Sequence, residues 1–207
     1  MTAAQQLDAG IAALGEPIPS EARQQLLTYI ALIERWNAVH NLTALRGTDQ
    51  MISQHLLDSL SILPALSGNS LLDVGSGAGL PGIPLAIAKP TLCVTLLDSN
   101  QKKIAFLRQA RAELALGNIE IVCARVESWH PQTRFSTIVS RAFGGLAQFA
   151  RLAGHLLAPE GRMLAMKGIY PAHELDALPP EIIAEVVSLR VPRIAAERHL
   201  VILKSAA

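Results

Sequence analysis

The sequence predicts an α/β fold in which helices cover both faces of a mostly parallel, doubly wound sheet. Short apolar runs alternate with helix-compatible stretches from residue 70 onward, and a glycine-rich turn follows the first of these runs. Two further β-like runs lie close together near the C-terminal end, which predicts an antiparallel hairpin at one edge of the sheet.

The region before residue 70 is predicted to be a helical extension packed on this sheet. Ser20 and Asp49 are each expected to cap a helix, and Gly68-Asn69 is expected to turn the chain into the sheet. The first helix is predicted from apolar residues at three- and four-residue spacing, namely Leu26, Leu27, Ile30, Ile33 and Val39. We therefore divide the chain into a helical extension, 1–69, and a ligand-binding domain, 70–207.

Each element of the second region has its own signal in the pattern of apolar residues. The parallel strands are expected at 71–74, 92–97, 119–123, 137–140 and 162–166. Helices are expected between them at 84–88, 101–116 and 146–157. The hairpin is expected to consist of 182–191 and 199–204.

The composition indicates a protein with a packed core, and we expect it to be cytoplasmic and monomeric. Of 207 residues, 50% are hydrophobic and 17% are charged, and the formal net charge of +1 is not that of a strongly basic nucleic-acid binder. We expect no transmembrane helix, because no stretch of 18 apolar residues is uninterrupted, and no secretory signal, because the first ten residues have no Lys or Arg. We expect no metal, because none of the histidines forms a ligand-spaced pair. Cys93 and Cys123 lie in apolar runs and are expected to be buried free thiols.

The glycine-rich turn Gly75-Ser76-Gly77-Ala78-Gly79 is predicted to bring a ligand to the carboxyl edge of the sheet. Asp73 can brace this loop or meet an amino group of the ligand, and Asp98 can accept hydrogen bonds from ribose hydroxyls. Glu127 follows the third strand, where it can reach an adenine edge. Dinucleotide-binding domains also carry an acid in the position of Asp98. The pattern Asp-x-Gly-x-Gly-x-Gly and the lack of a long second domain favour S-adenosylmethionine, and they leave an NAD-dependent oxidoreductase as a remote alternative.

Beyond the glycines, the chain resembles the ribosomal RNA small-subunit methyltransferase G family, also called glucose-inhibited division protein B. The run from Asp73 to Pro84 carries the resemblance together with motifs in the same order: Trp36-Asn37, Asn41-Leu42-Thr43, His55-Leu56-Leu57-Asp58-Ser59, Leu97-Asp98-Ser99, Arg125-Val126-Glu127, Ser140-Arg141-Ala142, Lys167-Gly168 and Glu197-Arg198-His199-Leu200. The resemblance covers about residues 20–204, while the first eighteen residues match poorly and Gly144-Gly145 is more flexible than the family pattern.

This resemblance implies a Rossmann-like S-adenosylmethionine-dependent methyltransferase that modifies N7 of a guanine in 16S ribosomal RNA, either free or within the small ribosomal subunit. By position, it implies cofactor contacts from Gly75, Leu80, Val126, Glu127 and Arg141. The turn itself adds Gly77, Gly79 and Asp98 to the expected cofactor site.

A basic rim that binds RNA is a separate expectation, since cations follow or flank the predicted strands. We assign to it Arg125, Lys167, Arg198 and His199, and we expect Asn41 and His55 to be further RNA-binding residues. His55 and Asp58 stand three residues apart on one predicted helical face, so they are expected to meet the same neighbour.

The chemistry of guanine N7 sets what the site has to supply. N7 loses no proton when it is methylated, so we expect no general base and no catalytic cysteine, only alignment and exclusion of water. An arginine on N7 would oppose the reaction, and Arg141 is therefore expected to orient the cofactor or to bind a phosphate or guanine O6. Two alternatives stay open: a small-molecule methyltransferase with the N-terminal helices as a lid, and a non-enzymatic nucleic-acid-binding module.

Overall fold

The protein alternates strands and helices after an all-helical N-terminal region, as described by a computed structural model for residues 1–141 and 143–205. Ala142 of the Ser140-Arg141-Ala142 motif lies outside the described residues. The helices are α1 Ala3–Leu14, α2 Ser20–His40, α3 Thr48–Met51, α4 Asp58–Leu60, α5 Gly82–Ala88, α6 Gln101–Glu113, α7 Leu146–Ala153 and α8 Ala172–Asp176. The strands are β1 Ser70–Val74, β2 Cys93–Asp98, β3 Ile119–Cys123, β4 Phe135–Arg141, β5 Leu157–Lys167, β6 Ile182–Ser188 and β7 His199–Ser205.

The seven strands form one sheet in the order β3-β2-β1-β4-β5-β7-β6. The first five strands pair in parallel, and β7 pairs antiparallel with both β5 and β6. The doubly wound parallel sheet and its antiparallel C-terminal edge hairpin are therefore confirmed. Because the carboxyl ends of parallel strands meet at one edge, the loops after β1, β2, β3 and β4 converge there.

Alternate residues of each strand face opposite sides of the sheet and build two apolar cores. Leu71, Leu96 and Val139 face the first core, which also contains the buried faces of α1, α2, α5 and α6. Leu72, Leu97 and Ile138 face the second core, which α7 covers. The N-terminal helices thus pack on one face of the sheet, and a domain border at residue 69 stays a prediction.

The N-terminal region differs from its predicted form in three details. Helix α1 was not predicted; Thr2 caps it through a reciprocal side-chain pair with Gln5, and Gly15 ends it in the left-handed conformation. The expected caps are wrong: Ser20 is the first residue of α2, and the helix containing Asp49 begins one residue earlier with no side-chain cap. On α2, Val39 is exposed because the last turn extends beyond the core.

A π-helical stretch, Ile52–Leu57, joins α3 to α4. The wider turn of a π-helix changes which side chains share a face, and such stretches are frequent at functional sites. It carries His55 into the interior, with Asp58 following at the start of α4. Among the described helices, none combines the length and apolar character needed to cross a membrane.

Candidate active site

The glycine-rich turn is held in place by backbone hydrogen bonds to β2. The N–H groups of Gly75 and Ser76 both donate to the carbonyl of Leu97, at 2.8 and 3.1 Å. Gly75 has a φ of 73° and a Cβ added to it would meet nothing within 4 Å, so its backbone borders open space. Gly77 has a φ of 59°, and its N–H donates to Asp98 Oδ2 at 2.9 Å.

Asp73 braces the loop from beneath. Its Oδ2 accepts a hydrogen bond from the Gly82 N–H at 2.9 Å, whereas Oδ1 is buried without a partner. Burial raises the pKa of Asp73 from 3.8 to about 7. Of the two predicted roles, the structure shows the brace, and contact with a ligand's amino group stays a prediction.

A first cavity of about 290 Å³ lies where β1, β2 and β3 end. It is lined by Gly75, Asp98, Val126 and Glu127 of the expected cofactor set, and by Arg125, which was assigned to RNA. Asp98 is 7% exposed at the end of β2, and Asn100 N–H donates to its Oδ1 at 2.8 Å. A carboxylate oxygen has more than one acceptor position, so Asp98 can still receive hydroxyl groups. An acidic, partly apolar cleft of this kind fits a nucleoside.

Four residues of the expected cofactor set lie outside this first cavity. Leu80 is buried, and a Cβ at Gly79 would meet Ile83 Cδ1 at 2.4 Å, so internal packing already requires that glycine. Gly77 acts through its bond to Asp98, and Arg141 lines a neighbouring cavity. Their contacts with a cofactor stay predictions.

A second cavity, of about 450 Å³, adjoins the first, and Phe143 lines both. It opens at the ends of β4 and β5 and beside the start of β7. Its polar lining includes Gln54, His55, Asp58, Ser140, Arg141, Lys167, Arg198 and His199. The structure thus brings together four of the six expected RNA-binding residues with Arg141.

Asp58 lies at the centre of the polar side chains in the second cavity. Its Oδ1 accepts a hydrogen bond from Arg198 Nε at 3.1 Å, and its Oδ2 lies 3.6 Å from an Nη of Arg141. Arg141 also donates to the Gln54 carbonyl at 3.1 Å and lies 3.4 Å from His55 Nδ1. The prediction that His55 and Asp58 meet one neighbour is confirmed, and that neighbour is Arg141.

Two cations of the expected basic rim are paired with acids, and RNA binding by the rim stays a prediction. Lys167 Nζ pairs with Glu174 at 2.8 Å, and the Arg198 guanidinium is bound to Asp58. Their side chains are only 16% and 22% exposed, so both contribute to the cavity wall. Asn41, in the left-handed conformation at the C-terminal cap of α2, accepts a hydrogen bond from Arg46 and lines neither cavity.

Three residues that line the second cavity, Asp58, Gln54 and Phe143, were not predicted from the sequence to be site residues. Asp58 carried a signal, its spacing from His55, but its arginine partners are 83 and 140 residues away. Gln54 and Phe143 carried none, because a carbonyl acceptor and an apolar wall have no distinctive sequence pattern. Among the described residues, no group of three or more histidines, cysteines or acids could hold a metal ion.

The cysteines are exposed, contrary to the buried thiols that we expected. Cys93 begins β2 and Cys123 ends β3, the edge strand, where a strand leaves the core. Neither lines the two cavities. Cys93→Ser and Cys123→Ser should therefore each keep wild-type activity and change the free energy of unfolding by less than about 0.5 kcal/mol. A folded variant that binds its ligands but has lost activity would instead require a covalent mechanism.

Burial of His55 makes stability depend on pH. Desolvation and the Arg141 guanidinium lower its pKa from 6.5 to about 4, so the unfolded chain binds more protons between those values. The contribution of His55 to stability therefore falls as the pH drops from 6.5 to 4, by at most about 1.4 kcal/mol per pH unit. Urea melts across this range should show His55→Gln gaining stability relative to wild type as the pH falls.

The contribution of Asp73 to stability should change with pH in the opposite direction, which makes Asp73 a matched comparison. Its raised pKa means that the folded chain binds more protons between 3.8 and about 7. Asp73→Asn should therefore lose stability relative to wild type as the pH falls through that window. Parallel pH profiles for the two variants would contradict both assignments.

Comparison with known proteins identifies close relatives along nearly the whole chain. A profile of the family described as rRNA small subunit methyltransferase G matches residues 22–201. The ribosomal RNA small subunit methyltransferase G of Methylobacillus flagellatus is 52% identical over 199 residues, covering 96% of this chain and 97% of its own length. Its counterpart in Laribacter hongkongensis is 50% identical over 202 residues, with coverage of 97% and 98%.

Solved structures show the same fold at low identity. An SAM-dependent methyltransferase from Aquifex aeolicus aligns with a TM-score of 0.57 at 16% identity, covering 74% of this chain and 92% of that one. Coclaurine N-methyltransferase, solved with N-methylheliamine and SAH, aligns with a TM-score of 0.58 at 12% identity, covering 89% of this chain and 65% of its own. The Rossmann-like methyltransferase fold predicted from the sequence is confirmed.

Proposed function

Since the chain belongs to the rRNA small subunit methyltransferase G family, we propose that it transfers a methyl group from S-adenosylmethionine to N7 of a guanine in 16S ribosomal RNA. The substrate is the RNA of the small ribosomal subunit, and we propose that the enzyme acts on it in the cytoplasm as a monomer. The observation that carries this proposal is the pair of adjoining cavities, one acidic and one lined by arginines, with Phe143 in the wall of both.

The first cavity is proposed to hold the nucleoside part of S-adenosylmethionine. Asp98 would accept the ribose hydroxyls, Glu127 and Val126 would border the adenine, and Gly75 would leave room for the chain that leads to the sulfonium. When bound, S-adenosylmethionine supplies an electrophilic methyl group. Phe143 lines both cavities, and beside it that methyl group would face the second cavity.

The second cavity is proposed to admit the guanine. Arg141 and Arg198 can donate hydrogen bonds to guanine O6 or to flanking phosphates, contacts that orient the base without occupying N7. His55 is uncharged at neutral pH, because burial and the Arg141 guanidinium lower its pKa to about 4, so it adds no further positive charge to the cavity. The chain thus supplies alignment and exclusion of water, as N7 chemistry requires.

A transfer assay tests this proposal. The purified chain would be incubated with methyl-labelled S-adenosylmethionine and small ribosomal subunits from cells that lack the gene, and N7-methylguanine would be measured in the RNA. Wild type should place one methyl per subunit, Asp98→Ala should lose cofactor binding, and Asp8→Ala, an exposed acid on α1, should match wild type. Absence of N7-methylguanine with a folded, cofactor-binding wild type would exclude the proposal.

RNA contact through the second cavity predicts a salt effect. Arg198→Ala and Lys167→Ala should each weaken binding of small-subunit RNA and reduce the slope of log K against log salt by roughly one unit per lost phosphate contact. Arg134→Ala is a matched control, because Arg134 is exposed just before β4, at the opposite edge of the sheet. If Arg198→Ala and Lys167→Ala keep the wild-type slope as Arg134→Ala does, these cations do not bind RNA. A small-molecule substrate would then be the better interpretation.

A further inference from the structure

One buried carboxylate joins three distant parts of the chain at the second cavity. Asp58 comes from the N-terminal helices, Arg141 from the end of β4, and Arg198 from the residue before β7. The Asp58 side chain is 6% exposed, and the side chains of Arg141 and Arg198 are 25% and 22% exposed. Each carboxylate oxygen faces a different guanidinium, with Oδ1 on Arg198 and Oδ2 on Arg141.

The geometry leaves most of each guanidinium free for a ligand. Arg198 uses Nε towards Asp58 and one Nη towards the carbonyl of Glu197, while Arg141 uses a single Nη towards Asp58, Gln54 and His55. A guanidinium has five N–H groups, so each arginine retains donors for a phosphate or a base. The carboxylate therefore fixes where these donors point without occupying all of them.

We propose that Asp58 is a positioning residue that holds Arg141 and Arg198 in place and cancels one of their two positive charges where the methylated guanine is formed. The proposal rests on the proposed function. Its physical basis is that the three groups carry a net charge of +1 with Asp58 ionised and +2 without it. Two uncompensated guanidiniums in a partly buried cavity would also repel each other.

The reaction makes this charge balance matter. The lone pair of N7 forms a bond to the methyl carbon as the carbon–sulfur bond breaks, and the electrons of that bond remain on sulfur. No proton moves, and the positive charge passes from the sulfonium to the guanine ring. The ring thus gains charge in the cavity that contains both arginines, so a nearby carboxylate lowers the energy of the transition state relative to the ground state.

Asp58→Asn separates this role from a structural one because its two effects have opposite signs. Loss of a negative charge beside the RNA should leave RNA affinity equal or higher, with a salt slope steeper by up to about one unit. The kcat should fall about tenfold or more, without a rise in KM for the RNA. RNA binding would be measured without cofactor, and kcat on small subunits under saturating S-adenosylmethionine.

Asp58→Glu keeps the charge but moves it by one carbon–carbon bond. It should keep the wild-type salt slope and show a kcat between those of wild type and Asp58→Asn. Asp8→Asn is the matched control, because Asp8 pairs with Arg23 on the exposed surface at 3.0 Å and should leave both readouts unchanged. Thermal melts establish that each variant is folded.

An Asp58→Asn variant that folds and keeps wild-type kcat overturns the proposal, as does one that loses RNA affinity and kcat in proportion. If Asp58→Asn does not fold, Asp58→Glu decides: a lowered kcat with the wild-type slope supports the proposal, and a wild-type kcat overturns it. If the wild-type chain methylates no guanine N7, the proposed function fails. The salt slope of Asp58→Asn still reports whether the carboxylate offsets the arginines towards RNA.

Discussion

Arg141→Ala should lower methyl transfer at least about a hundredfold while the chain stays folded. The side chain connects the end of β4 to Gln54, His55 and Asp58, and its removal leaves one wall of the second cavity without a donor. We also expect weaker binding of S-adenosylmethionine, because Arg141 lines the second cavity together with Phe143, which also lines the first. Single-turnover rates and titration calorimetry would measure the two effects.

The control for this variant is Arg108→Ala, which removes an exposed arginine of α6 that lines neither cavity. It should keep the wild-type rate. If Arg141→Ala also kept the wild-type rate, the second cavity would have no role in methyl transfer.

Gly82→Ala should be strongly destabilising, by about 2–4 kcal/mol in the free energy of unfolding. A Cβ at this position would meet Leu96 Cδ2 at 2.3 Å and Asp73 Oδ2 at 2.8 Å, and both side chains are fully buried. The methyl group therefore has to displace the buried Leu96 side chain or the carboxylate that braces the glycine-rich turn. Urea unfolding would measure the loss, and weaker cofactor binding should accompany it.

Gly117→Ala is the matched control for this substitution. A Cβ at Gly117 would meet nothing within 4 Å, and its φ is not in the left-handed region. This variant should be close to wild type in stability. Equal losses for the two variants would mean that the clash at Gly82 relaxes at no cost.

The sheet could be predicted because its information is local. Each strand from β1 to β5 contains a short apolar run, and the glycine turn after β1 marks the edge where ligands bind. The strand ends were less predictable: β5 begins five residues before its predicted start, since Leu157 pairs with Phe135 beyond an irregularity in the ladder. Cys93 and Cys123 were predicted to be buried because an apolar run does not show where its strand leaves the core.

The polar partners in the site could not be predicted, because they are distant in sequence. From the sequence alone, Lys167 and Arg198 have no evident acidic partner. In the folded chain, Lys167 pairs with Glu174 and Arg198 pairs with Asp58. The π-helical stretch before Asp58 has no signature in the apolar pattern, yet it places His55 and Asp58 on Arg141. Residue types and strand ends could predict the location of the site, whereas the pairing of its charges required the fold.

The modification state of 16S ribosomal RNA in cells tests the central claim most directly. The RNA would be isolated from cells with the gene, cells without it, and cells that express the Asp98→Ala variant, and N7-methylguanine would be mapped along it. We predict one N7-methylguanine that is present with the wild-type gene and absent from the other two. An identical set of N7-methylguanines in all three samples would contradict the assignment of this chain as the guanine-N7 methyltransferase.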